Sequence, residues 1–116
     1  MDKRDPAQPA PGERATGPSP RLSAVIAVLN EAENIEAVTA DCLAGLAGAA
    51  PFEIVYVDDG STDDTAAVIA DLAARHPEVR LVRHDRRCGK SQAVRTGVLA
   101  ARGEWVGTLD GDGQNS

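Results

Sequence analysis

Aromatic residues are nearly missing from this 116-residue sequence: Phe52, Tyr56 and Trp105 are the sole representatives of their types, 3% in all. A core must therefore be assembled from Val, Ile, Leu and Ala. Long apolar runs are missing too. None approaches the roughly 20 residues that cross a bilayer, so no transmembrane helix is expected. The Met-Asp-Lys-Arg start turns Pro-rich without the apolar stretch of a secretory signal, and a cytoplasmic location is the expectation. Cysteine is scarce: Cys42 and Cys88 show neither a Cys-x-x-Cys pair nor metal-ligand spacing. Cys42 falls in an apolar helical pattern and reads as a buried, inert thiol. Cys88 lies in a basic loop, a setting that lowers a thiol pKa. His76 and His84 have no neighbours in the sequence that suggest catalysis or metal binding, and read as surface or satisfied histidines. Positive charge is in deficit, and the net charge of −6 argues against a nucleic-acid-binding surface. The deficit is uneven, because Arg80, Arg83, Arg86, Arg87, Lys90 and Arg95 cluster against the single acid Asp85. That stretch fits either a solvated basic face or a site for a small anion or lipid headgroup.

What is present fits one compact domain. Residues 1–21 hold Pro6, Pro9, Pro11, Pro18 and Pro20 among Gly, Ala, Gln and charges. Such a stretch buries too little apolar surface to offset its chain entropy, and a disordered tail is expected. Residues 22–116 then alternate short apolar runs with longer amphipathic ones. Strands are expected at Leu22–Leu29, Phe52–Val57, Val79–Val82 and Trp105–Leu109. Between them, Asn30 to Leu46 reads as a helix with Ile35, Val38, Cys42 and Leu46 on one face and Asn30 as its cap. Ser61 and Asp64 have capping-box spacing ahead of a second helix that turns Ala67, Val68, Leu72 and Ala73 inward. A third helix, Ser91–Ala101, carries Val94, Val98 and Leu99 inward. The order β-α-β-α-β-α-β with right-handed crossovers predicts an α/β, Rossmann-like parallel sheet covered by helices. Ligands of such sheets bind beyond the carboxyl ends of the strands. The last strand lies at the end of the chain, so an exposed sheet edge and homo-oligomer formation are expected there.

A polar cluster follows each strand. Leu29-Asn30-Glu31 leads into a helix whose dipole favours the acids. Asp58-Asp59-Gly60-Ser61 places two adjacent carboxylates at the end of a buried strand, where their repulsion needs a ligand, metal or donor to compensate it. Either acid has the chemistry to accept a hydrogen bond from a nucleobase N–H or a ribose hydroxyl. Arg86-Arg87-Cys88-Gly89-Lys90-Ser91 opens a helix, and Lys90 beside the helix N-terminus favours an anion. Gly89-Lys90-Ser91 also raises a P-loop NTPase as an alternative, but that motif needs a glycine where this chain has His84. Asp110-Gly111-Asp112-Gly113-Gln114 sets two carboxylates one residue apart between glycines. Hard oxygen donors of this kind, with phosphate oxygens, suit Mg²⁺ or Mn²⁺.

Taken together, these pieces resemble family 2 glycosyltransferases of the GT-A fold, above all the branch that makes dolichyl-phosphate and polyprenyl-phosphate sugars. The resemblance rests on Val25 to Glu31, Glu53 to Asp63, Gly89-Lys90, Arg95-Thr96-Gly97, Ala101 to Glu104 and Gly107 to Asn115, in family order. It implies that Ala27, Leu29 and Glu31 line the nucleobase side of a nucleotide-sugar pocket. Asp59, with Asp58, would bind base or ribose. Asp110 and Asp112, assisted by Gln114, would hold Mg²⁺ or Mn²⁺ on the diphosphate of a UDP- or GDP-sugar. Gly111 and Lys90 complete the implied set. A polyprenyl phosphate at the inner membrane face is the implied acceptor, which makes the location peripheral to that membrane. Two departures stand out: the family has Pro and an aromatic residue where this chain has Ala27 and Leu29, so base stacking is expected to differ, and it commonly has an acidic residue followed by Pro where this chain has Ser116. The family domain continues past this motif, whereas the chain ends at Ser116. It is therefore expected to be a truncated donor-binding half whose catalytic base lies beyond the C-terminus, with a catalytically inactive nucleotide-binding module as the alternative.

Overall fold

The computed structural model describes residues 20–48 and 51–110. The Pro-rich stretch expected to be a tail lies outside them, apart from Pro20 and Arg21. Strands β1 (Leu22–Val28), β2 (Phe52–Asp58), β3 (Val79–Arg83) and β4 (Trp105–Asp110) alternate with helices α1 (Ala32–Leu46), α2 (Thr65–Arg75) and α3 (Lys90–Ala100). All pairings are parallel and the sheet order is β3-β2-β1-β4. The chain thus winds outward through β1, β2 and β3, then returns to the other side of β1 to lay down β4. Strand order reverses between β1 and β4, the switch point beside which ligands of open α/β sheets bind.

Side-chain alternation divides the core in two. Ile26, Val28, Ile54 and Tyr56 meet Ile35, Ile69 and Leu72 of α1 and α2 on one face. Val25, Val55 and Val57 meet Ala93 and Ala101 on the other, beneath α3. The first face has bulky helix residues; the second has small ones, because α3 sits almost on the strands. A Cβ on Gly97 would collide with the side chains of Val25 and Val57. This close seating overturns the expectation for α3: Ala93 and Gly97 point inward, whereas Val98 is 42% and Leu99 70% exposed. Hydrophobicity alone suggested the bulkier residues, but only small ones fit at this distance. In α2 the buried residues are Thr65, Ile69 and Leu72, and Ala67 faces solvent.

Among the described residues, strand β4 pairs only with β1 and lies at the edge of the sheet. Trp105 is 66% and Leu109 47% exposed, so Trp105 is a rim residue rather than a core one. An apolar cavity of about 390 Å³ lies between this strand and α1, lined by Cys42, Leu46, Gly107 and Leu109 among others. Cys42 is half-buried, and burial, aided by the Asp41 charge, pushes its thiol up, in keeping with an inert role.

At the amino end of the sheet a buried carboxylate fastens four segments. Glu53 Oε2 accepts from the Ser23 hydroxyl at 2.6 Å and the Arg102 N–H at 2.7 Å. Its Oε1 accepts from Arg80 Nη1 at 2.9 Å and Arg102 Nε at 3.2 Å. Burial raises the Glu53 pKa, but these donors outweigh it and hold the carboxyl below its ordinary value.

Candidate functional site

The carboxyl ends of the strands carry a denser polar network, built from two loops that clasp each other. Asn30, just past β1, adopts a left-handed φ of 52°, which asparagine tolerates better than most residues. In that conformation its side-chain oxygen reaches across to the loop after β2, accepting from the N–H groups of Thr62 at 2.8 Å and Asp63 at 3.3 Å. Its own N–H donates to Ser61 Oγ at 2.8 Å, and the Glu31 N–H donates to Thr65 Oγ1 at 2.9 Å. Asn30 is thus a clasp rather than the expected helix cap; α1 begins two residues later. Ser61 makes no capping box either. Its hydroxyl donates to Asp58 Oδ1, which also accepts the Ser61 N–H at 3.1 Å.

Asp58, the last residue of β2, is fully buried. Its Oδ1 is occupied by Ser61, but no hydrogen-bond donor reaches Oδ2 among the described residues. Arg83, its register partner on β3, places Nε 3.6 Å from that oxygen, beyond hydrogen-bond distance. An unpaired buried carboxylate oxygen is costly, and its presence calls for an explanation.

Asp59 is almost as buried but has no unpaired oxygen. Oδ1 accepts from the Cys88 N–H at 2.8 Å and lies 2.8 Å from His84 Nδ1; Oδ2 accepts the Gly89 N–H at 2.9 Å. His84 Nε2 in turn meets Thr96 Oγ1 on α3 at 2.8 Å. The link between β3 and α3 is therefore wrapped around one carboxylate. It crosses directly over Gly60, where a Cβ would come within 2.5 Å of the Arg86 and Arg87 backbone. Gly60, with φ of 83°, is required both for its conformation and for that closeness. Burial pushes the Asp59 carboxyl up, but the hydrogen bonds from His84, Cys88 and Gly89, with the charge of His84, bring it below its ordinary value. These bonds also remove the P-loop reading. The Cys88 and Gly89 amides, which a phosphate cradle would need, already serve Asp59.

The residues singled out in the sequence come together only in part. Ala27 is half-buried and pairs in register with Val57 on one side and Asp110 on the other. Leu29 is half-buried just beyond β1, and Glu31 accepts a 2.7 Å hydrogen bond from Asn34 Nδ2. Lys90 is exposed at the start of α3. Asp110 ends β4; Gly111, Asp112 and Gln114 lie outside the described residues. Asp58 and Asp110 share one end of the sheet with β1 between them, a separation of about 10 Å at ordinary strand spacing. They end the strands on either side of β1, with Asp110 on the side of the switch point. Sequence reasoning missed Arg83, His84 and Thr96. The pairing of an acidic strand end with a basic one, Asp58 against Arg83, was the signal available for the first two.

With this geometry in hand, the comparisons with known proteins are decisive. The Glycosyl transferase family 2 profile matches residues 23–116. The chain belongs to this family. Among curated relatives of this family 2 chain, the dolichyl-phosphate beta-glucosyltransferase of Drosophila melanogaster is 36% identical over 104 residues, covering 83% of this chain and 32% of its own length. The dodecaprenyl-phosphate galacturonate synthase of Rhizobium johnstonii is 31% identical over 110 residues, covering 93% and 32%. Among solved structures, a mannosyltransferase from Pyrobaculum calidifontis in complex with GDP-Man and Mn²⁺ is 33% identical with a TM-score of 0.72, over 80% of this chain and 28% of that one. The chain therefore spans about a third of the length of these relatives. The α/β fold is that of GT-A glycosyltransferases over the part they share, as the resemblance implied. No helix among the described residues is long and apolar enough to cross a membrane.

Proposed function

We propose that this chain supplies the nucleotide-sugar-binding part of a glycosyltransferase that uses a UDP- or GDP-sugar and a polyprenyl phosphate acceptor. One observation carries the reading: in a family 2 chain, β4 brings Asp110 beside Ala27 at the switch point, and the other side of β1 carries Asp58, whose buried Oδ2 no hydrogen-bond donor reaches among the described residues. Ala27, Leu29 and Glu31 line the base side. Asp58 offers its second oxygen to a base N–H or ribose hydroxyl, while Asp59 fixes the loop that forms the adjoining wall. Lys90, at the start of α3, supports the anionic donor. Asp110, Asp112 and Gln114 offer the hard oxygen donors that suit Mg²⁺ or Mn²⁺ and would hold it, with Gly111 between the two acids in sequence. When bound, the cation supplies Lewis-acid neutralisation of the diphosphate. The acceptor's phosphate oxygen, ionised near neutral pH, attacks the anomeric carbon as the bond to the nucleoside diphosphate breaks. It needs no strong base.

Calorimetric titration with UDP and GDP, with and without Mn²⁺, tests this. At least one nucleotide should bind in a metal-dependent manner, with affinity about tenfold or more weaker in Asp112→Ala, the equivalent of about 1.4 kcal/mol. Metal-dependent binding that survives this substitution would remove Asp112 from the site. Failure of both nucleotides to bind would sink the reading as a whole.

A further inference from the structure

Asp59, His84 and Cys88 are scattered in the sequence and carry no ligand spacing, yet the fold gathers them. One carboxylate oxygen, one imidazole nitrogen and the thiol sulfur all lie within 4.8 Å of one another. We propose that these residues form a binding site for a borderline-soft divalent cation such as Zn²⁺, separate from the Asp110–Asp112 donor set.

The donor chemistry selects that class of ion. Zinc takes thiolate sulfur at about 2.3 Å and imidazole nitrogen or carboxylate oxygen at about 2.0–2.2 Å. Donors around one tetrahedral ion therefore sit roughly 3.3–3.8 Å apart, within a small side-chain movement of the spacing found here. Mg²⁺ prefers oxygen donors throughout and has little use for sulfur.

Two of the three ligands are already oriented. Asp59 is held by the N–H groups of Cys88 and Gly89, and the same bonds bring the Cys88 backbone beside the carboxylate. His84 is held from behind by Thr96 Oγ1 on its Nε2, which leaves Nδ1 directed at Asp59. Partners of this kind fix the ring and tautomer of a metal-bound histidine. Cys88 is the adjustable ligand: it is exposed, and its thiol makes only a 3.3 Å contact with the Arg86 carbonyl. Arg86 and Arg87 stand nearby, but both are exposed and screened by solvent.

Protons balance simply. When the ring is neutral, the short Asp59–His84 contact in the metal-free protein requires a hydrogen between the two atoms, on Nδ1. On binding, that proton shifts to Nε2, where Thr96 Oγ1 accepts it, and the Cys88 thiol proton is released to solvent. One proton leaves for each ion bound, and thiolate and carboxylate together neutralise the dication.

Titration of the full chain with Co²⁺, in the absence of nucleotide, reads the site directly through a thiolate-to-cobalt charge-transfer band. The band should appear in the parent chain and in Cys42→Ala, vanish in Cys88→Ser, and be bleached by Zn²⁺. Thr96→Val should keep the band but weaken affinity about tenfold. A parent chain without the band, or a band that persists in Cys88→Ser, would overturn the proposal. Cys88 is exposed, so its replacement leaves folding intact and a lost band cannot be blamed on unfolding. Because the assay contains no nucleotide, its failure would leave the donor-binding reading untouched, and the reverse also holds.

Discussion

Glu53 and Asp58 occupy the two ends of one strand, both buried, both acidic, five residues apart in β2. Their surroundings could hardly differ more. Glu53 has a donor for each oxygen from β1, β3 and the link after α3, and those donors hold it ionised. Asp58 has its first oxygen occupied by Ser61, whereas its second has no hydrogen-bond donor among the described residues and only the Arg83 guanidinium at 3.6 Å. An acid whose every acceptor position is filled belongs to the framework. An acid left with a spare acceptor at a switch point has capacity for a ligand. Burial alone would have ranked the two equally; counting donors separates them.

That contrast is breakable by mutation. The largest effect should come from Glu53→Ala, which removes the carboxylate that Arg80 and Arg102 pair with and leaves the Ser23 hydroxyl and the Arg102 N–H without that acceptor. A loss of about 3 kcal/mol is expected, with a fall in Tm on the order of 10–20 °C by calorimetry. A loss within the range of ordinary surface substitutions would show that the network is incidental. Asp58→Asn should do the opposite. It keeps an acceptor for Ser61 and the side-chain shape, so stability should change by about 1 kcal/mol or less. Nucleotide affinity should fall about tenfold, because an amide N–H now stands where the spare oxygen was. Equal damage to folding and binding would erase the distinction drawn between these two acids.

The smallest effect sharpens the comparison by pH. Glu53 and Asp59 both titrate below their ordinary values of 4.5 and 3.8. The unfolded chain therefore binds more protons than the folded one in this range, and stability rises with pH. The contribution is fully present well above those ordinary values and is lost as pH falls through them towards the folded-state pKa values. Urea midpoints measured from pH 6 to pH 3 should decline, and Glu53→Gln should flatten much of the slope. A slope unchanged in that variant would assign the acid sensitivity elsewhere.

Much of this architecture was legible in the residues. All four strands and the helices α1 and α3 fall within one or two residues of their expected positions, because Val- and Ile-rich runs bounded by Gly, Pro and Asp leave little choice of period; α2 starts at Thr65, later than a cap at Ser61 implied. Strand-end acids stood out for the same reason. What stayed hidden depended on distance between elements. Nothing in Ser91–Ala101 announces that α3 would press so close that Ala93 and Gly97, rather than Val98 and Leu99, face the strands. Asn30 and Ser61 look like helix caps locally, and only the approach of their two loops makes them a clasp. The acid that His84 and Cys88 share is far off in the chain, with Asp59 lying 25 and 29 residues away.

The place of β4 has a consequence for how such a protein is made. Leu22 must pair with Trp105, so the first strand waits for the last before one of its edges is covered. During synthesis β1, β2 and β3 can assemble as a three-stranded intermediate while residues 105–110 are still in the ribosomal tunnel. In that interval the free side of β1, made of Leu22 through Ala27, is a sticky, apolar strand edge. A nascent chain of this kind is at its most vulnerable before residues 105–110 have emerged, which is when a holding chaperone would do the most good.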